Sequence, residues 1–185
     1  MKKVLLFCAA LCFGVTSLVA QDKFFQGNIG LTYNDAIENV VFSVNPNFGF
    51  MVNDKWAMGV GVYGGYMDGY LNAYYSEEKL EVTEFGGVLF AQNFTKISDR
   101  FYYTPRIYFQ FGGGNIESGS ISFYGLSFGA SIANFEFRAA PKIGVTLDLG
   151  GLAFNYSKVK DADEGTFDLK LDAFQTSNIG MRFYF

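Results

Sequence analysis

Histidine is absent from all 185 residues. It is the usual general base near neutral pH, so hydrolytic and acyl-transfer chemistry lose their commonest catalyst. The only two cysteines, Cys8 and Cys12, fall within the first twenty positions. Once that segment is removed, no thiol nucleophile, disulfide framework or thiolate metal site remains. A Ser–Lys or carboxylate pair would still be open to the chain, but no spacing in it supports one. The reading is therefore non-enzymatic, with no catalytic, cofactor or metal residue. Proline is scarce, at three residues, and after residue 20 no apolar run is long enough for a membrane helix.

Lys2 and Lys3 precede an apolar stretch, Val4 to Ala20, in which Thr16 and Ser17 are the polar interruptions. The pattern predicts a signal peptide over 1–20, cut between Ala20 and Gln21, although Leu18 stands where a small residue is preferred. A retained helix is the rival, but the run is short for spanning and Gln21-Asp22-Lys23 follows at once. Neither Cys8, after Phe7, nor Cys12, after Leu11, has the small preceding residue that lipid modification wants. Without Lys2 and Lys3 the basic residues fall from 14 to 12 against 18 acidic ones, a net charge of −6. Such a balance argues against a nucleic-acid partner. The remaining 165 residues, 21–185, suit one domain.

Aromatic residues are plentiful, at 19% of the chain, and glycine is abundant. Their arrangement has a period of two, the mark of strands with one apolar face. Near the C-terminus Ile179, Met181, Phe183 and Phe185 alternate with Asn178, Gly180, Arg182 and Tyr184. Further segments repeat the pattern, among them Phe25 to Tyr33, Phe42 to Val52, Trp56 to Tyr66 and Phe101 to Phe111. Asn53-Asp54-Lys55 marks a tight turn. The strands read as 24–33, 39–52, 55–66, 79–92, 100–112, 134–146, 149–157 and 171–185, joined by long charged loops at Met67 to Lys79 and Ser157 to Asp168. Around Glu84 to Phe94 either phase fits, which predicts a bulge. Ile121 to Ile132 finds no place in an even count and is read as an extension of the fifth and sixth strands.

A soluble β-sandwich would also alternate. Two details favour lipid outside. The face opposite the aromatics carries small and neutral polar residues, as a crowded barrel interior needs. Aromatics also gather at segment ends (Tyr33, Trp56, Tyr66, Phe101, Phe111, Phe185), where interfacial girdles sit. The predicted fold is all-β: a transmembrane, antiparallel, up-and-down barrel of eight strands. Arg106, Glu136, Arg138, Lys142, Asp148 and Arg182 fall in the polar phase and are the candidate lumen charges. They would either pair into an ionic plug or line a narrow conduit.

Three patterns carry less than they suggest. Gly59-Val60-Gly61-Val62-Tyr63-Gly64 fits a dinucleotide fingerprint, but lies in an alternating strand with no helix after it. Glycines opposite bulky side chains explain it better. Asn93-Phe94-Thr95 and Asn155-Tyr156-Ser157 are glycosylation sequons by pattern alone. Asp161-Ala162-Asp163-Glu164-Gly165 lacks a complete calcium ligand set.

The stretch Pro46 to Tyr66, PNFGFMVNDKWAMGVGVYGGY, together with FYYTPRI over Phe101 to Ile107 and the closing Gly180, Phe183 and Phe185, resembles the small, porin-like outer-membrane β-barrel family of Gram-negative bacteria. That resemblance implies an integral outer-membrane protein in contact with outer-membrane lipid, and a monomer is expected. It also implies insertion by the outer-membrane assembly machinery, with Gly180, Phe183 and Phe185 as the assembly signal. Ile179 departs from that signal, which prefers a polar residue there. The function expected is structural or surface-interactive through extracellular loops. The alternative is a narrow porin-like channel or transporter for small solutes, with room beside Tyr63 along Gly59, Gly61 and Gly65.

Overall fold

A computed structural model describes residues 23–34, 39–69, 80–116 and 121–185. The signal peptide expected over 1–20, and residues 70–79 of the first long loop, lie outside them. Eleven strands follow in chain order: β1 (Lys23–Asn34), β2 (Asn39–Met51), β3 (Trp56–Gly69), β4 (Leu80–Asn93), β5 (Thr95–Lys96), β6 (Phe101–Tyr103), β7 (Arg106–Ile116), β8 (Ile121–Ser131), β9 (Asn134–Ala140), β10 (Ile143–Val159) and β11 (Thr166–Tyr184). All pairings are antiparallel. The order β11-β1-β2-β3-β4-β7-β8-β10 returns to β11, closing a ring of eight staves. The short strands β5, β6 and β9 prolong the staves of β4, β7 and β8 at one end.

That end, called the turn end, carries the tight connections after β2, β5 and β9. Asn53 builds the first: its Oδ1 accepts from the backbone N–H groups of Lys55 and Trp56, each at 2.9 Å, an Asx-type turn. Lys23 and Phe185 also meet here, through two backbone hydrogen bonds of 3.0 and 3.3 Å. The opposite end is called the loop end.

The three prolines explain how the staves are interrupted. Proline has no N–H to give a ladder. Pro46 pairs with Gly27 of β1, and the β2–β3 ladder skips its position, passing from Val44–Gly64 to Asn47–Gly61. Pro105 separates β6 from β7, and its carbonyl accepts from Asn93 N–H at 2.9 Å. Pro141 opens the Pro141-Lys142 turn between β9 and β10.

This last turn corrects the expected strands. The span 134–146 is not one strand but the end of one stave and the start of the next. Ile121 to Ser131 is the first part of the sixth stave, not an extension beyond it. Ile132 and Ala133, which both donate to Gly150 O at 3.1 Å, mark the break between β8 and β9. β10 runs as a single strand through the expected gap at 147–148. The bulge expected at Glu84 to Phe94 is also absent, because β4 keeps one register with β3 and β7 throughout. Its phase was ambiguous because Val88 and Phe90 are apolar yet buried inside. The second charged loop shortens to residues 160–165 between β10 and β11.

The faces are inverted relative to a water-soluble protein. Arg182, Glu136, Gln26 and Gln92 are fully or almost fully buried, while Phe85, Phe154 and Ile179 of the other face are more than 60% exposed. A large apolar side chain left in water forgoes about 1.5–3 kcal/mol, so an exposed belt of them all round a closed sheet makes sense only against hydrocarbon. Closure pairs the backbone groups that lipid cannot satisfy. The molecule is an integral membrane barrel of the outer-membrane type.

Candidate functional site

The interior is the candidate site, and bulky side chains opposite glycines shape it. An added Cβ at Gly59 would strike the Phe90 ring, at Gly49 the Phe24 ring, at Gly61 the Asn47 amide and at Gly129 the Tyr108 ring. Each glycine is the cross-strand partner of the side chain that covers it. Tyr63 reaches farther, crossing Gly86 of β4 to Gly112 of β7. The Gly59, Gly61 and Gly65 row therefore holds no free channel: Phe90, Asn47 and Glu84 fill its space. Room beside Tyr63 lies instead along Gly64, Gly112 and Gly113, in the loop-end half of the lumen.

Toward the turn end the lumen is packed shut. Arg182 on β11 forms a salt bridge through Nη1 to Glu136 Oε2 on β9, both side chains wholly buried. The Arg182 Nη2 also donates to Gln92 Oε1 at 2.8 Å, and Nε to Gln26 Oε1 at 3.1 Å. Its guanidinium lies over Phe24 at 4.6 Å and Phe94 at 4.8 Å. Glu136 accepts twice more, from Tyr184 Oη at 2.7 Å and Arg138 Nε at 3.2 Å. Arg138 is held between the rings of Tyr102 and Tyr184, at 4.3 and 4.5 Å. Four strands thus converge on one saturated carboxylate–guanidinium pair, the condition under which burying two charges is tolerable. Phe24, Ala57, Phe90 and Phe94 complete the plug as an apolar cluster.

The remaining candidate charges divide. Arg106 faces the lumen and forms no salt bridge among the described residues: its Nη2 donates to Asn47 Oδ1 at 3.1 Å and its plane lies 4.0 Å over the Phe90 ring. Asp148 braces the irregularity in β10, accepting from Gly150 N–H at 3.0 Å and from Asn134 Nδ2 at 3.3 Å. Lys142 does not belong with them. It sits exposed in the Pro141-Lys142 turn, outside the barrel wall, because the strand taken to contain it ends at Ala140. Gln26, Gln92, Asn47, Tyr184 and Phe24 were missed; their only signal is membership of the inward phase.

At the other end of the chain Gly180 has a packing reason, since an added Cβ would meet the Asn28 side chain and Gly27 O. Phe183 and Phe185 point outward and are exposed, and Phe185 lies 6.2 Å from the Phe48 ring.

Two cavities flank the plug. One of about 760 Å³ opens at the turn end among Met51, Lys55, Phe94, Tyr102, Arg138 and Tyr184. The other, about 450 Å³, lies in the loop-end half and is lined by Tyr63, Glu84, Gln110, Asn155, Asp168 and Lys170 among others. Among the described residues no group of histidine, cysteine, aspartate or glutamate could hold a metal ion.

No protein-family model matches the sequence, and no curated protein matches it. Among solved structures it is similar to Neisserial surface protein A, at 12% identity and a TM-score of 0.45, over 89% of this chain and 96% of that one. It is also similar to Ail, the attachment invasion locus protein of Yersinia pestis, at 13% identity and a TM-score of 0.39, with 89% and 96% covered. A de novo designed transmembrane β-barrel aligns at 15% identity and a TM-score of 0.31, over 89% of this chain and 95% of that one. The fold assignment rests on the ring of ladders and the inverted faces, not on these scores.

Proposed function

We propose that the chain is a monomeric, non-enzymatic barrel of the outer membrane, with a structural or surface-interaction role carried by its loop end and a lumen closed to solutes. The observation that carries this reading is the plug: a fully buried Arg182–Glu136 pair, saturated by Gln26, Gln92, Tyr184 and Arg138, over an aromatic cluster. An ion passing it would have to break a buried charge pair, at a cost of several kcal/mol. Purified protein in planar bilayers should show no discrete conductance. Steady single-channel steps would overturn the proposal.

A narrow pore is the second reading, favoured by a different observation. Arg106 Nε and Thr146 Oγ1 are buried without a hydrogen-bond partner among the described residues. Buried polar groups of this kind are commonly served by water, and a file of water past them would link the two cavities. Arg106→Ala should then change conductance or solute uptake, and no change would exclude it.

Insertion by the outer-membrane assembly machinery, with Gly180, Phe183 and Phe185 as its signal, belongs to the same proposal. Phe185 supports it as an exposed ring at the turn-end rim, where an aromatic anchor suits the membrane interface.

A further inference from the structure

The plug carries more positive charge than it spends. One carboxylate, Glu136, serves two guanidinium groups. Arg182, wholly buried, forms one salt bridge with it, and Arg138 forms the other, through Nε to Oε1 at 3.2 Å. The Arg138 Nη2 donates once more, to Tyr184 Oη at 3.2 Å. Its Nη1 has no hydrogen-bond partner among the described residues.

A guanidinium offers five N–H donors in a planar fork. Two of those on Arg138 are spent and three remain. Its side chain is 28% exposed, whereas that of Arg182 is fully buried. The plane is fixed, because the rings of Tyr102 and Tyr184 hold it from 4.3 and 4.5 Å. A fork set in advance loses little entropy when a second anion takes it.

The turn-end cavity collects this surplus. Arg138 lines it, with Lys55 and Lys96 as further cations and Asp54 as the one described carboxylate. Lys96 is engaged by Asp99 at 2.9 Å, which leaves Arg138 and Lys55 for a ligand. Most of the remaining wall is apolar or aromatic: Met51, Val52, Phe94, Tyr102 and Tyr184. Its volume of about 760 Å³ is in the range of a small-ligand pocket.

The same bias runs over the whole end. Residues 52–55, 94–100 and 141–142 hold Lys55, Lys96, Arg100 and Lys142 against Asp54 and Asp99, although the chain as a whole is acidic. The loop-end connection at 160–165 has the opposite sign, with Lys160 against Asp161, Asp163 and Glu164. An anion is drawn to the turn end and away from the other.

We propose that the turn-end cavity binds an organic monocarboxylate with an apolar body. The carboxylate takes the free donors of Arg138, with Lys55 as the second cation, and the body lies on Phe94, Tyr102 and Met51. A carboxylate suits this fork better than a phosphate, being planar and singly charged like the surplus. A free small acid and the C-terminal end of a peptide share this chemistry. Binding here needs no passage through the plug.

The test uses the full barrel in lipid nanodiscs, which leave both ends open to solution, followed by amide NMR. The probes are N-acetylphenylalanine, its uncharged amide, inorganic phosphate and a tetraglycyl-phenylalanine peptide with a free carboxylate. N-acetylphenylalanine should give saturable shifts at 51–55, 94–96 and 138, and its amide should bind about ten-fold more weakly. Tighter binding of the peptide assigns the site to a peptide terminus, and equal or weaker binding to a free acid. Arg138→Lys keeps the charge and loses the fork, so affinity should fall several-fold. Lys55→Gln, in an exposed turn away from the plug, should also weaken binding. Folding of both variants is read separately by the heat-dependent gel shift. Equal affinity for acid and amide, shifts that rise linearly with probe, or phosphate bound as tightly as the acid would overturn the proposal. So would unchanged affinity in both variants.

Discussion

The two halves of this barrel obey the same alternation and come out differently. In the turn-end half every stave is paired on both sides, and the lumen is filled by Arg182, Glu136, Gln26, Gln92 and a cluster of phenylalanines. In the loop-end half glycines such as Gly64, Gly112 and Gly113 stand among longer polar side chains, and a cavity remains. The difference teaches that inward volume, not the outer pattern, determines where such a barrel is solid. Outside, Phe25 and Phe154 look alike; inside, Phe24 plugs the lumen and Ala153 does not.

The largest expected effect concerns the assembly of either half. Phe185→Asp should leave export intact and sharply reduce the membrane-inserted, heat-modifiable form, measured by outer-membrane fractionation and gel shift on heated and unheated samples. Normal insertion of this variant would show that the terminal ring has no assembly role.

Next come substitutions that set one half against the other. Glu136→Leu strands the buried Arg182 and should cost about 3–5 kcal/mol in urea unfolding. Phe24→Ala, which empties the centre of the aromatic cluster, should cost a similar amount, about 3–5 kcal/mol. The matching change in the loop-end half, Glu84→Leu, should stay within about 1 kcal/mol, because that carboxylate is exposed at the cavity and not held in a buried pair. Equal losses at Glu84 and Glu136 would erase the comparison.

Hydrogen exchange sharpens it further. Backbone amides of β1 at 24–29 and of β11 at 179–184, paired across the closing ladder, should be protected as a unit, whereas those of 166–171, beside the loop-end cavity, should exchange at least ten-fold faster. Uniform protection along β11 would mean that the two halves are equally solid.

The smallest effect belongs to an ion pair outside the membrane span. Lys96 and Asp99 meet at 2.9 Å across the exposed turn after β5. The hydrogen bond from Lys96, and then its charge, hold the Asp99 carboxyl below its ordinary value. Since the folded-state value is depressed, any stabilisation is present above the unfolded carboxylate range and disappears as pH falls through the folded value. Lys96→Met should raise the Asp99 titration, read by carboxyl-carbon NMR, with no resolvable shift in the unfolding midpoint at pH 7.

Much of this was legible in the residue pattern. Alternation alone places Met181 and Phe183 outside and Arg182 inside, and it puts Glu136 and Arg138 in the inward phase. The errors have local causes. Val88 and Phe90 are apolar on the inward face, so β4 offers two phases until Phe24 and Phe94 are known to pack against them. Pro141-Lys142 closes a two-residue turn between residues that themselves alternate, so 134–146 reads as one strand and Lys142 as a lumen charge. Gln26 and Gln92 could not be singled out, since neutral amides occupy inward positions all round. Their partnership with Arg182 joins residues 156 and 90 positions apart, and no window along the chain contains it.

The meeting of Lys23 with Phe185, and of Phe24 with Tyr184, has a kinetic consequence. The ladder that closes the ring joins the two most distant strands, so its loop-closure entropy must be overcome before it returns any hydrogen bond. Until then every partly built sheet exposes two raw edges, and the Arg182 and Glu136 charges lack the wall that buries them. The ionic plug and the closing ladder therefore form in one late, cooperative event. A barrel stalled just short of it would be the species most prone to aggregate and most dependent on escort.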